Sequence, residues 1–187
     1  MKTEMTTRAA PPKILVVDDD GQLADLYATW LDDAYDVETA YSGEDALDRV
    51  NELDGDIDAV LLDRRMPDID GDLVLVLLRD RGFDCPVAMV TAVEPTVDIV
   101  EMGFDDYLTK PVRKEELLER VEALVSLDSV DSMTRELSTL RVKRNVLSVE
   151  LSATELDRSA EFATLEQRIA TLERRLGPVE RRESLAD

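Results

Sequence analysis

The sequence predicts an α/β protein: a five-stranded, doubly wound parallel sheet followed by an all-α segment, either a coiled coil or a helical hairpin. Three observations lead there. Between residues 13 and 125, short apolar runs alternate five times with stretches of helical periodicity. The runs are apolar throughout, as strands covered on both faces must be. Residues 128–176 hold neither glycine nor proline, and apolar residues recur there at coiled-coil spacing.

Taken in order, Lys13–Val17 is the first strand and ends in Asp18-Asp19-Asp20. Leu23, Leu26, Tyr27, Trp30 and Leu31 follow at helical spacing, with Asp20 placed to cap them. Tyr35–Ala40 is a short strand, and Ser42-Gly43-Glu44 opens a helix carrying Ala46, Leu47 and Val50. Ile57–Leu62 is the third strand, and Leu73, Val74, Leu77 and Leu78 mark the next helix. Pro86–Thr91 is a strand, Val97–Met102 a short helical stretch, and Tyr107-Leu108-Thr109 the last strand. Glu115–Leu127 is amphipathic, with Leu117, Leu118, Val121, Leu124 and Val125 inward. Right-handed crossovers between such strands give the doubly wound sheet.

In the tail, Met133, Leu137, Leu140, Leu147 and Leu151 form one seam, interrupted at Arg144, and Phe162, Leu165, Ile169, Leu172 and Leu176 form another. The two registers do not join. Either one long helix changes face, or a break within residues 152–160 gives two packed helices. The second is preferred, because Ser152–Glu155 has capping-box form and Arg158-Ser159 suits a turn. Gly177-Pro178 stops the helix. The expected divisions are therefore a disordered N-terminus (1–12), an α/β domain (13–125), a helical domain (126–177) and a frayed C-terminus (178–187).

Composition removes several classes of function. The formal net charge is −21, of which residues 1–125 carry −19, a field that disfavours nucleic acid as a default partner. There is no histidine, which removes histidine triads, histidine general bases and zinc sites with histidine ligands. The one cysteine, Cys85, allows no internal disulfide and reads as a small, partly buried residue. No run of 18 apolar residues is present and the N-terminus lacks a signal-type apolar region, so a cytoplasmic protein with no membrane partner is expected.

Doubly wound sheets place their sites at the carboxyl ends of the strands. Asp18, Asp19 and Asp20 follow the first strand, Asp63 the third, Thr91 ends the fourth and Lys110 follows the fifth. Clustered carboxylates repel one another unless a cation joins them, and a hard divalent ion such as Mg²⁺ suits them. Asp18, Asp19 and Asp63 are candidate ligands, with the Arg65 backbone carbonyl as a fourth. Asp63 can then attack phosphorus to form an acyl phosphate. Lys110 supplies a fixed positive charge, and the Thr91 hydroxyl can donate to the phosphoryl group. Arg64 and Arg65 read as a solvated pair without an essential side-chain role.

VVDDD (16–20), LLDRRMPDIDG (61–71), VTA (90–92) and YLTKP (107–111), each after an expected strand, resemble in order the landmarks of a response-regulator receiver domain, which has a flavodoxin-like fold. The resemblance covers residues 13–125. It implies Asp63 as the phosphoacceptor, Asp18 and Asp19 as the acidic pair serving Mg²⁺, Thr91 and Tyr107 as the switch pair, and Lys110 as the phosphate-binding lysine before a cis proline. It also implies a sensor histidine kinase as partner. One departure stands out: Thr91 and Lys110 are 19 positions apart, a shorter interval than receivers usually have. The deficit falls in the fourth helix and puts dimerisation through that surface in doubt. The tail, with FATLEQRIATLERRL, resembles the HalX domain of haloarchaeal response regulators. An excess of Asp (25) over Glu (18) and 17 Arg against 5 Lys agree with a salt-loving source.

Three functions compete. A phosphorylation-controlled switch leads. A free-standing Mg²⁺-dependent phosphohydrolase would commonly carry a second acid two residues after its nucleophile, where this chain has Arg65. For output, a homodimer or other protein contact through the C-terminal helices is preferred to DNA binding, because acids interleave with the basic clusters and no helix-turn-helix segment fits.

Overall fold

A computed structural model describes residues 10–127 and 130–177. The expected disordered lead-in falls mostly, and the frayed end wholly, outside these residues.

The strands are β1 (Lys13–Val17), β2 (Asp36–Ala40), β3 (Ala59–Leu62), β4 (Val87–Thr91) and β5 (Asp106–Thr109). All pair in parallel, in the order β2-β1-β3-β4-β5. Every residue of β3 and β4 is buried, which is why these strands read as unbroken apolar runs.

Helices α1 (Gly21–Leu31) and α4 (Lys114–Ser126) cover one face. Ile14, Val16, Tyr27, Leu31, Leu61, Val90, Leu117 and Val121 share the core there. Helices α2 (Gly43–Glu52) and α3 (Gly71–Asp80) cover the other. The Asp20 carboxylate caps α1 by accepting from the Gln22 and Leu23 amides, and Ser42 caps α2. Between β4 and β5 the shortened connection forms no α-helix, only a 3₁₀ helix, Val97–Glu101.

The space beside that 3₁₀ helix is taken by the tail. Helix α5 (Ser132–Glu150) packs on β5 and on the 3₁₀ helix, and α7 (Ala160–Leu176) packs on α5 and on the 3₁₀ helix. The short α6 (Ala153–Arg158) separates them. The tail is thus broken into packed helices. Ser152 and Glu155 form the reciprocal capping box, Ser159 caps α7, and Gly177 ends it at φ 72°.

Leu137, Leu140, Leu147, Leu165, Ile169 and Leu172 are buried in the same cluster as Leu75, Ile99, Phe104 and Tyr107. The tail therefore completes the core on that face. Within its seam the position between Leu140 and Leu147 is filled by Lys143, 4% exposed, and not by Arg144, which lies at the rim. Cys85 is partly buried, and burial pushes its thiol up from the ordinary range. Among the described residues no helix is long and apolar enough to cross a membrane.

Candidate functional site

Strand register builds the site. Val17 of β1 pairs with Leu62 of β3, so the next residues, Asp18 and Asp63, emerge side by side from one sheet edge. Their backbones are tied down: the Asp18 amide donates to the Ala40 carbonyl (3.1 Å) and the Asp63 amide to the Val17 carbonyl (2.9 Å). Thr91 and Thr109 are likewise paired, which brings Lys110 to the same edge. The Lys110–Pro111 peptide is cis.

The Lys110 ammonium bridges the two acids, 2.6 Å from Asp18 Oδ2 and 2.9 Å from Asp63 Oδ2. Asp18 and Asp63 are 2% and 7% exposed. Burial pushes the Asp18 carboxyl up, against the pull of Lys110. Burial alone would lower the Lys110 ammonium, but its bonds to Asp18 and Asp63 carry it above the ordinary lysine range. Asp19 is exposed at the rim, and one carboxylate oxygen from each of Asp18, Asp19 and Asp63 lies within 4.8 Å of the others. That donor set, all hard oxygen, fits a divalent cation such as Mg²⁺. Thr91 is buried, and its hydroxyl accepts from the Val93 amide at 3.2 Å. Tyr107 is turned inward, its hydroxyl donating to the Val93 carbonyl at 2.7 Å and its ring 5.6 Å from that of Phe104.

The loop from Asp63 to α3 is held by its own backbone. The Gly71 amide donates to the Arg64 carbonyl at 2.9 Å, and Asp68 accepts from the Gly43 and Glu44 amides at the start of α2. Those bonds lower the Asp68 carboxyl to about 2. The Arg65 side chain is exposed and pairs with Asp70 at 3.1 Å, while its amide faces Asp63 Oδ1 at 3.4 Å.

Arg64 corrects the reading of a solvated pair. It is 4% exposed, its Nε donates to both Asp72 oxygens (2.9 and 3.1 Å), and its Nη2 pairs with Asp98 of the 3₁₀ helix. Burial alone would lower the Arg64 guanidinium, but its bonds to Asp98, Tyr107 and Asp72 carry it above the ordinary arginine range. The sequence concealed this because Asp72 and Asp98 are eight and 34 positions away. Also missed was the clamp between sheet and tail. Asp105, buried before β5, accepts from Arg79, from the Val87 amide and from both Nε and Nη2 of Arg135 on α5 (2.9 and 3.0 Å). Lys143 donates to the Val100 (2.9 Å) and Met102 carbonyls, with its ammonium 5.0 Å from the Phe104 ring centre. Its place on the 137–140–143–147 stripe was the one signal in the sequence.

Comparison with known proteins agrees with this geometry. Residues 14–122 match the response regulator receiver domain, and residues 126–182 match the HalX domain. The chain is 56% identical over 130 residues to a Haloferax volcanii protein described as a transcriptional regulator, covering 69% of this chain and 22% of that protein. It is 37% identical over 156 residues to the transcriptional regulatory protein CiaR of Streptococcus pneumoniae, covering 78% of this chain and 69% of CiaR. The chain thus spans about a fifth of the haloarchaeal relative and about two thirds of the streptococcal one. Among solved structures, the receiver domain of Francisella response regulator 1452 superposes with a TM-score of 0.57 at 35% identity, covering 62% of this chain and 97% of that domain. On these grounds the chain belongs to the response regulator receiver family, with a HalX domain on its C-terminal side.

Proposed function

We propose that this protein accepts a phosphoryl group on Asp63 from the phosphohistidine of a sensor histidine kinase, and that the acyl phosphate resets the helical tail. The observation that supports this most is the Lys110 ammonium set between Asp18 and Asp63 at the sheet edge. An Asp63 carboxylate oxygen attacks phosphorus, the P–N bond breaks, and the electron pair leaves with the imidazole of the donor. Lys110 stays beside Asp63 and balances charge on the transferred group. The Thr91 hydroxyl turns from the Val93 amide to donate to the new phosphoryl oxygen, and Tyr107 follows because both contact Val93. Asp18, Asp19, Asp63 and the Arg65 carbonyl would hold Mg²⁺, which when bound supplies charge neutralisation during transfer. In time the protein hydrolyses its own acyl phosphate, so its only catalysis is on itself.

For output we infer protein contacts through α5–α7, either a second copy or another partner. The basic cluster Arg141–Arg144 is spent within the fold: Arg141 pairs with Glu173 (2.7 Å), Arg144 with Glu166 (4.0 Å), and Lys143 is buried. The names of the relatives favour a second reading, DNA binding by the same helices. Salt-dependent binding to a promoter fragment would establish that reading instead.

Incubation with a phosphorylated sensor kinase domain or a small phosphoryl donor tests the main proposal. A hydroxylamine-labile phosphoryl label should appear on the protein and be absent from Asp63→Asn. Equal labelling of Asp63→Asn would overturn the assignment.

A further inference from the structure

The 3₁₀ helix is held by charged groups at both ends, and the two groups that hold it come from different halves of the protein. At its start, Asp98 pairs with Arg64, the residue next to Asp63, and accepts from the Thr96 hydroxyl. At its end, the Val100 and Met102 carbonyls accept from Lys143 of α5. Between them Ile99 is fully buried in the core shared with the tail. A 3₁₀ helix of five residues has few internal bonds, so these end contacts largely fix its position.

Two covalent and polar routes run from the site to that element. The first follows the chain, since residues 92–97 join Thr91 to Asp98. The second is the Arg64 side chain, which reaches Asp98 from the phosphoacceptor loop while its Nε rests on Asp72 of α3. Both arrive at the same end of the 3₁₀ helix. At the other end Lys143 has no freedom to stay behind. It is almost fully buried, and a buried ammonium separated from its acceptors is strongly destabilised. If the helix shifts, α5 must shift with it or release.

We propose that Arg64 is a positioning residue coupling Asp63 to the 3₁₀ helix, and that Lys143 is the contact by which this chain's own tail is seated on that helix. The seat is occupied by α5–α7 when Asp63 is unmodified and loosens when it is phosphorylated. This rests on the reading of Asp63 as phosphoacceptor. It adds to that reading the residue pairs Arg64–Asp98 and Lys143–Val100/Met102, and it identifies the tail as occupant of the face left open by the shortened fourth helix. Continuity of the hydrophobic core from Ile99 and Phe104 into Leu137, Leu140, Leu165 and Ile169 supports that occupant.

The test uses the full chain loaded with beryllofluoride and Mg²⁺. Loading is read by ¹⁹F NMR of the bound fluoride, and tail seating by amide hydrogen exchange over 132–150 and 160–176. In the natural protein, loading should speed exchange in α5 roughly tenfold, within the usual range of coupling between sites. Asp98→Asn, at a half-exposed position that tolerates the change, should still load but lose most of that response. Arg64→Lys, which keeps the charge and loses the fork, should do the same. Lys143→Met should exchange fast in α5 before loading and change little on loading. A loaded natural protein with unchanged α5 exchange would overturn the proposal, as would a full response in both Asp98→Asn and Arg64→Lys. Absence of a bound fluoride signal in the natural protein would instead bring down the phosphoacceptor reading, and this inference with it.

Discussion

Gly71, at the start of α3, lies directly against the backbone of Asp63: a Cβ on Gly71 would run into the Asp63 carbonyl oxygen and crowd the Arg64 Cα. The obstacle is backbone, which cannot swing aside as a side chain would. Gly71→Ala should therefore destabilise the fold by about 1–3 kcal/mol, the usual cost of overpacking. It should also slow phosphoryl uptake, because the loop that aims Asp63 must move. Urea denaturation and initial labelling rates check the two effects.

Lys110 holds together two acids that would otherwise repel. Lys110→Met should lower stability by about 1–3 kcal/mol in chelator, less than a fully buried pair because the lysine is partly exposed. Millimolar Mg²⁺ should restore part of the loss by binding the same carboxylates, while phosphoryl uptake stays low. Thermal melts with and without Mg²⁺ read the first effect, and labelling reads the second.

The shared core makes the tail part of the receiver's stability. Leu147 is fully buried on α5. Leu147→Ala should cost about 2–4 kcal/mol. The loss should appear in one cooperative transition, seen alike by Trp30 fluorescence, which reports α1, and by far-ultraviolet circular dichroism, which is dominated by helices. Two separated transitions would show that the tail melts by itself.

Lys143 should titrate well below the other lysines. Burial brings its ammonium down to about 8, against the upward pull of Asp105 and Glu101 and with the help of Arg168. The Val100 and Met102 carbonyls and the Phe104 ring also face it and favour the charged form. A folded pKa below the unfolded one means that the unfolded chain binds more protons between pH 8 and 10.5, the ordinary lysine value. Over that window the contribution of Lys143 to stability should rise with pH. Comparison with Lys143→Met across the window checks the sign, and ¹³C NMR of the lysine Cε carbons checks the titration.

The net charge of −21 should make stability depend on salt. Exposed like charges repel and screening relieves them. The melting temperature should climb steadily as KCl is raised into the molar range, whereas a balanced receiver would change little.

The sequence by itself determined the parallel sheet and the edge of it at which the candidate residues stand. Apolar runs without alternation require strands buried on both faces, and the period-3.6 stripes after the first three strands require crossover helices. Once the strands are parallel and in register, Asp18, Asp63, Thr91 and Lys110 have to meet at one edge, because each stands at or just past the end of its own strand. The breaks in the tail were legible for a similar reason, since the Ser152–Glu155 box is a contact between near neighbours.

Tertiary structure decided what joins distant segments. The Arg64–Asp98, Arg135–Asp105 and Lys143–Val100 contacts span 34, 30 and 43 positions. No local periodicity records such pairs. An arginine beside another arginine reads as solvated until α3 and a 3₁₀ helix close over it with two carboxylates. Arg144 reads as the interruption of a leucine seam, and Lys143 takes the buried place only because two carbonyls and an aromatic ring are brought to its ammonium. Burial of a charge is favourable only when the partners are in place, and for these residues the partners arrive only with the fold.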